Sequence, residues 1–431
     1  MWVNDTLNVN EKGHLTIGGV DCTELAKEYG TPLYVMDEDV IVQACRSYKK
    51  SFEKYYNGKG LPLFASKAFC CKEMYRILAQ EGLGADVVSG GELYTALSVG
   101  FPAENLHLHG NNKKPEEVKL ALQNGVGKIV IDNFPELEMV DQIAAKLNKT
   151  AHISIRVKPG VDAHTHDFIK TGKIDSKFGF ALETGEAFKA VEQALLCKNL
   201  VLDELHCHIG SQILDTEPFV TTAEIMLDFI YEIQTKFNYK ITQLNLGGGF
   251  GINYKQEDNR PPFDSYMEAV SAALQAKASA LNIVVPYIFI EPGRSIVGES
   301  GINLYTIGAI KEIPGIRTYV SVDGSMADNI RPALYGAEYT VVNATQAANS
   351  ADFKATISGK TCETDTLQEN TLIAKPAVGD ILAFLSTGAY TQSMASNYNR
   401  TPRPPVIMVK DGKTRVVVKG ETYEDLLKLD V

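Results

Sequence analysis

Gly247-Gly248-Gly249-Phe250-Gly251 is the run in this sequence with the plainest chemical use. Glycines let backbone amides approach an anion closely, so such a run after a strand either cradles a phosphate or makes a tight turn with no ligand. Arg294 favours the phosphate, because a guanidinium grips phosphate oxygens at two points. Lys67 offers an amine and Glu291 a carboxylate, each just beyond an apolar run. A lone lysine there would be a solvated rim residue. Beside a phosphate loop and a carboxylate it fits pyridoxal 5′-phosphate, whose aldehyde needs one amine for a Schiff base. Glu291 would keep the pyridine nitrogen protonated by charge pairing, which strengthens the ring as an electron sink. His208 could cover the ring, or be a structural imidazole. His206-x-His208 and His164-x-His166 also have zinc-ligand character, the mark of a metal-dependent hydrolase.

These residues need a scaffold that brings strand ends together. Eight short apolar or β-branched runs occupy 61–65, 84–88, 106–108, 128–131, 152–157, 202–205, 241–246 and 287–290. Helical spacing lies between several of them: Met74, Ile77 and Leu78, then Leu93, Ala96 and Leu97, then Val118, Ala121 and Leu122. The alternation predicts an α/β (β/α)₈ barrel rather than an open doubly wound sheet, which more often has five or six strands. After residue 290 the segments 319–322, 339–342, 381–384 and 405–409 read as strands without long helices between them. Asp411-Gly412 between two β-branched runs is a hairpin signal. The expected division is a barrel over 38–286 and a second, mainly antiparallel β domain over 287–431, joined by 1–37 through a strand at 32–36.

In such barrels chemistry sits at the C-terminal strand ends. Lys67, Asp86, Ser89-Gly90-Gly91-Glu92, His109-Gly110-Asn111-Asn112-Lys113, Arg156, His208, the glycine run and Glu291-Pro292-Gly293-Arg294 all follow or close such runs.

Composition narrows the function classes. The 431 residues carry 42 Lys plus Arg against 53 Asp plus Glu, a formal charge of −11, which argues against a nucleic-acid partner. No apolar run approaches the roughly 18 residues of a membrane span, and the first residues lack signal-peptide character. Seven cysteines, an odd number without a C-x-x-C pair, suit reduced thiols in the cytoplasm.

The chain resembles the fold-type III pyridoxal phosphate decarboxylases, in particular the diaminopimelate decarboxylases. The resemblance rests on Phe64-Ala65-Ser66-Lys67-Ala68, Val88-Ser89-Gly90-Gly91-Glu92-Leu93 and His109-Gly110-Asn111-Asn112-Lys113. It continues through Pro159-Gly160-Val161-Asp162-Ala163-His164-Thr165-His166, Ser176-Lys177-Phe178-Gly179, Cys207-His208-Ile209-Gly210-Ser211-Gln212 and the glycine run. Glu291-Pro292-Gly293-Arg294, Ile330-Arg331-Pro332-Ala333-Leu334-Tyr335, Cys362-Glu363 and Gly388-Ala389-Tyr390 complete it in family order. It implies an alanine-racemase-like barrel with a β domain, and a homodimer whose subunits share active sites. By resemblance, Lys67 holds the aldehyde and His208 stacks on the ring. Ser211, Gly247, Gly248, Gly249, Arg294 and Tyr390 contact the phosphate, Glu291 pairs with the pyridinium, and Asp86 and Gly293 join the cofactor-binding set. Arg294, Arg331, Tyr335 and Tyr390 bind the substrate, chiefly its distal carboxylate, and Glu363 its distal ammonium. Cys362, arriving from the partner subunit, is the proton donor. Cys362-Glu363-Thr364-Asp365 departs from the family, which commonly has glycine before the aspartate.

The reaction implied is decarboxylation of meso-2,6-diaminoheptanedioate to L-lysine and carbon dioxide, the last step of lysine biosynthesis. A lysine or ornithine decarboxylase would use the same electron sink but would leave Arg331 without an anion, which is costly if it is buried. An alanine-racemase-type reaction fits less well, since that family faces the ring nitrogen with arginine, and Glu291 stands here. The metal-dependent hydrolases usually carry H-x-H on the first strand, not the sixth. A non-catalytic cofactor carrier resembles the barrel alone and would not need Arg331, Cys362 or Tyr390.

Overall fold

Strand β1, Gly60–Ala65, lies beside β8, Tyr287–Ile290, with Leu61 opposite Phe289. Between them run β2 (Gly84–Val87), β3 (Leu106–Leu108), β4 (Lys128–Ile131), β5 (Ala151–Lys158), β6 (Leu200–Cys207) and β7 (Gln243–Asn245). All eight pair in parallel, and the β4–β5 and β8–β1 pairings close the sheet into a barrel. A computed structural model supplies this description for residues 4–161, 176–255 and 257–431. His164 and His166 lie outside the described residues.

The helices form for the reasons their sequences suggest. Lys72–Glu81 buries Met74, Tyr75, Ile77 and Leu78, and stops where Gly82 turns left-handed at φ 69°. Ser89 accepts the Glu92 amide 3.2 Å away and so caps Gly90–Leu97. Pro115 opens Pro115–Asn124, with Glu116 and Glu117 in the first turn.

The barrel unit comprises residues 44–251 and 260–293. The expected break after residue 286 falls one strand early, because Tyr287–Ile290 bridges β7 and β1 and closes the ring.

Residues 1–43, 252–259 and 294–431 form the other unit. Its large sheet runs in the order Thr366–Ile373, Phe353–Ser358, Arg317–Val322, Gly301–Ile313, Leu33–Asp37, Val406–Lys410, Lys413–Val418. Most pairings are antiparallel. Leu33–Asp37 with Val406–Lys410, and Arg317–Val322 with Phe353–Ser358, are parallel. Asp411 (φ 49°) and Gly412 (φ 69°) make the expected hairpin turn, whose twist suits the flanking strands. Leu15, Ile17, Leu33, Val35, Ile302, Leu304 and Ile407 fill its core. The longest strand, Gly301–Ile313, was not foreseen; its first five residues are all buried and five of its last six exposed, so it shows no two-residue period.

Candidate active site at the barrel mouth

Chain direction places the end of each barrel strand at one mouth. Lys67 sits in the single turn Ser66–Ala68 after β1, its side chain exposed between buried Ser66 and Ala68. Asp86 lies in β2, His109 just after β3, His208 after β6 and Glu291 after β8.

Glu291 is the electrostatic centre. His109 Nε2 lies 3.0 Å from its Oε1, Asn245 Nδ2 donates to Oε1 at 2.8 Å, and His206 Nε2 lies 3.3 Å from Oε2. Burial pushes the carboxyl up, but the two imidazoles outweigh it and hold Glu291 well below the usual carboxylate range. His109 is the counterpart: burial pulls it down, and the carboxylates of Asp86 and Glu291 raise it above its ordinary value. Asp86 is raised by burial, with His109 pulling against that and Glu291 adding to it.

His208 is a neutral ring. Burial, then the cations Lys67 and Arg156, hold it well below the ordinary imidazole range. Its Nδ1 accepts the Gly248 amide at 3.2 Å, which puts the proton on Nε2 and fixes the ring. His206 is turned to Glu291 instead, so the H-x-H pair divides between two partners.

The glycine run is tight because backbones meet there. A Cβ on Gly247 would lie 2.4 Å from the Cys207 carbonyl oxygen, and one on Gly248 would lie 2.1 Å from that of Glu291. One on Gly249 would lie 2.7 Å from the Gly210 carbonyl oxygen, beside Ser211. The Gly247 and Gly248 amides are engaged by Asn245 Oδ1 and His208 Nδ1. Gly293 packs against Ala65, where a Cβ would meet the Ala65 methyl at 2.9 Å.

The other unit carries a second group. Arg294 opens the helix Arg294–Val297, bonds the Tyr254 hydroxyl through Nη1, and lies 4.9 Å from the Tyr390 ring centre. Arg331 opens Arg331–Tyr335, donates Nε–H to the Tyr339 hydroxyl at 3.0 Å, and lies 5.4 Å from the Tyr335 ring and 5.5 Å from that of Tyr390. Both guanidiniums are buried. Among the described residues, no carboxylate lies within ion-pair distance of Arg331. Tyr390 itself is left-handed at φ 61°, a strained setting for a non-glycine residue.

Cys362 and Glu363 form a third, exposed group in that unit. The Cys362 amide donates to Asn399 Oδ1 at 3.2 Å, and the Tyr398 hydroxyl donates to Glu363 Oε1. Asp365 ties the base of the loop, accepting the Thr361 amide at 2.9 Å and the Met326 amide at 2.7 Å.

Sequence reasoning had not singled out Asn245, Tyr254 or Tyr339. Asn245 had a signal: it is a polar residue between Leu244 and Leu246 in an apolar strand. The tyrosines had none.

The pyridoxal-binding domain of the pyridoxal-dependent decarboxylases matches residues 38–298. Diaminopimelate decarboxylase of Bacillus subtilis is 46% identical over 432 residues, covering 100% of this chain and 98% of that protein. Diaminopimelate decarboxylase of M. jannaschii, solved with L-lysine, superposes with a TM-score of 0.93 at 34% identity, covering 100% of this chain and 99% of that one. A lysine/ornithine decarboxylase of Vibrio vulnificus, at 22% identity and TM-score 0.77 over 91% of this chain and 99% of that one, shares the fold.

Proposed function

The chain belongs to the pyridoxal-dependent decarboxylases, in the diaminopimelate decarboxylase branch, and on that premise we propose that it removes the D-centre carboxylate of meso-2,6-diaminoheptanedioate. The products are L-lysine and carbon dioxide. The observation that carries the substrate is Arg331: a buried guanidinium among phenols, without an ion-pair carboxylate among the described residues, is costly unless an anion completes it. A distal carboxylate does so. Lysine and ornithine have none to offer.

The residues fit pyridoxal 5′-phosphate. An exposed lysine stands at one strand end, an ionised buried carboxylate at another, and the backbone at Gly247 to Gly249 leaves no room for side chains. When bound, the cofactor supplies a conjugated cationic ring that takes up the electron pair left on the α-carbon.

The chain's own residues do the rest. Lys67 provides the amine that anchors the aldehyde. Glu291, kept ionised by His109 and His206, would accept the ring N–H and so keep the ring protonated. His208, locked by Gly248, would cover the ring face. Ser211, the glycine run, Gly293, Arg294 and Tyr390 would hold the phosphate, and Asp86 helps keep His109 charged. Arg331 and Tyr335, with Arg294 and Tyr390, bind the distal carboxylate, and Glu363 the distal ammonium. Loss of carbon dioxide leaves an electron pair that must take up one proton at the α-carbon, and Cys362 delivers it. Cys362 and Glu363 serve the site of a second copy in a homodimer. Asp365 closes their loop, which supports the same reach despite Thr364. Seven free cysteines support a cytoplasmic enzyme; among the described residues no helix is long and apolar enough to cross a membrane.

The test is carbon dioxide release from meso-diaminopimelate, lysine and ornithine supplied separately to the cofactor-loaded protein. Release from diaminopimelate should dominate. Equal or faster release from lysine or ornithine would overturn the substrate assignment.

A further inference from the structure

Glu204 has no part in the mechanism above, yet it is a fully buried carboxyl inside the barrel. Apart from the Ser154 hydroxyl, its oxygens have no hydrogen-bond partner among the described residues. Burying such a group costs several kcal/mol unless something else satisfies it.

Its neighbours share the condition. Glu204 pairs in register with Ser154 on β5 and Gln243 on β7. Gln243 Oε1, His107 Nδ1 and His206 Nδ1 are likewise buried without a partner among the described residues. His107 Nδ1 is 3.7 Å from Glu204 Oε1, too far for a direct hydrogen bond. Unsatisfied acceptors and a hydroxyl on adjacent strands are the setting in which proteins hold buried water. A cavity of about 680 Å³ at the opposite end of the barrel is lined by His107, Lys128 and Gln243, three of the groups around Glu204.

His206 gives this water a consequence. Its Nε2 faces the Glu291 carboxylate, which can only accept, so Nε2 carries the proton. Burial pushes the ring down to about 4 against the pull of Glu291, so it is neutral and Nδ1 is a bare acceptor. Glu204 precedes it by two residues on the same face of β6. We propose that Glu204, with Ser154, holds an internal water that donates to His206 Nδ1, making Glu204 the positioning residue that reinforces the Nε2–H tautomer of His206 and, through it, the hydrogen bond to Glu291.

Burial pushes Glu204 up to about 8, with Lys128 and the Ser154 hydroxyl pulling it down and Glu291 adding to the rise. The other titratable or charged groups about it are His107 and His109 from β3, Arg156 from β5 and His206 on its own strand. Below that point Glu204 is an O–H donor to the water chain. Above it, Glu204 only accepts, so one O–H of the water is drawn to the carboxylate and the donation to His206 Nδ1 weakens.

The inference rests on Glu291 as the ring-nitrogen partner, and the experiment separates the two. Holoenzyme labelled with ¹⁵N-histidine is compared as wild type, Glu204→Gln and Glu204→Leu, with His206 assigned from a His206→Asn sample. The His206 nitrogen resonances should keep their pattern in Glu204→Gln, whose amide still donates, and shift toward a mixed tautomer in Glu204→Leu. The wild-type kcat should fall about threefold or more between pH 7 and 9, and Glu204→Gln should stay level within about twofold. His206 resonances indifferent to Glu204→Leu overturn the inference, as does an alkaline fall that survives Glu204→Gln unchanged. If the resonances move while the rate of Glu204→Leu does not, the water site stands and the reading of Glu291 falls.

Discussion

Glu291 Oε1 and His109 Nε2 lie 3.0 Å apart in a buried ion pair at the barrel mouth. The pairing changes what each group is. Glu291 stays ionised where burial alone would neutralise it, and His109 holds its proton where burial alone would remove it. A carboxylate has about four acceptor positions, and His109, Asn245 and His206 occupy three. One remains for a ring N–H.

Glu291→Gln should therefore weaken the electron sink without emptying the site. Turnover should drop by several powers of ten, each tenfold step being about 1.4 kcal/mol of barrier. Cofactor retention through a desalting column should persist, because the phosphate contacts are untouched. Near-normal turnover would make Glu291 a structural residue.

Lys67 yields the next test. Its side chain is exposed while Ser66 and Ala68 on either side are buried, so its loss costs little packing. Lys67→Ala should fold with an unchanged melting temperature, lose activity, and lose the covalent adduct that borohydride traps on the wild type. A trapped pyridoxyl group on any other lysine would sink the assignment.

The barrel was legible because each strand is a short apolar run ending on polar or glycine residues, and that period survives in sequence. The hairpin at Asp411-Gly412 was legible for a local reason, two left-handed residues in a row. Gly301–Ile313 was not, since its burial changes along its length rather than alternating. Lys67, His208 and Glu291 announced themselves by residue type at strand ends. Tyr254 and Tyr339 did not: they are 85 positions apart, and only folding sets their rings 5.6 Å from each other. The engaged amides of Gly247 and Gly248 were equally hidden, because their partners Asn245 and His208 come from two different strands' ends.

The exposed Cys362-Glu363 tip leads to a prediction about assembly. A Lys67→Ala chain and a Glu363→Ala chain should each be inactive as pure dimers. Mixed under conditions of subunit exchange, they should regain activity, since one site of each hybrid has both wild-type residues. Failure to regain it, with exchange verified by a mass-tagged chain, would mean that each site is built from a single chain.

Arg331 separates diaminopimelate from lysine as substrate. Its Nε–H is engaged by Tyr339, and the rings of Tyr335 and Tyr390 flank it, so an anion would meet the remaining N–H groups of a guanidinium already held in place. Charge-assisted hydrogen bonds of that kind are worth about 1.5–3 kcal/mol each. One such bond corresponds to roughly a tenfold to hundredfold change in affinity. Arg331→Ala should raise the Michaelis constant for meso-diaminopimelate by at least that factor. Slow turnover of lysine, which has no distal carboxylate, should hardly change. Arg331→Lys should recover only part of the loss, because an ammonium cannot reproduce the planar two-point grip. Equal damage to both substrates would make Arg331 a folding or cofactor residue, and the dicarboxylate would then need another anchor, for which Arg294 beside the same Tyr390 ring is the group to substitute next.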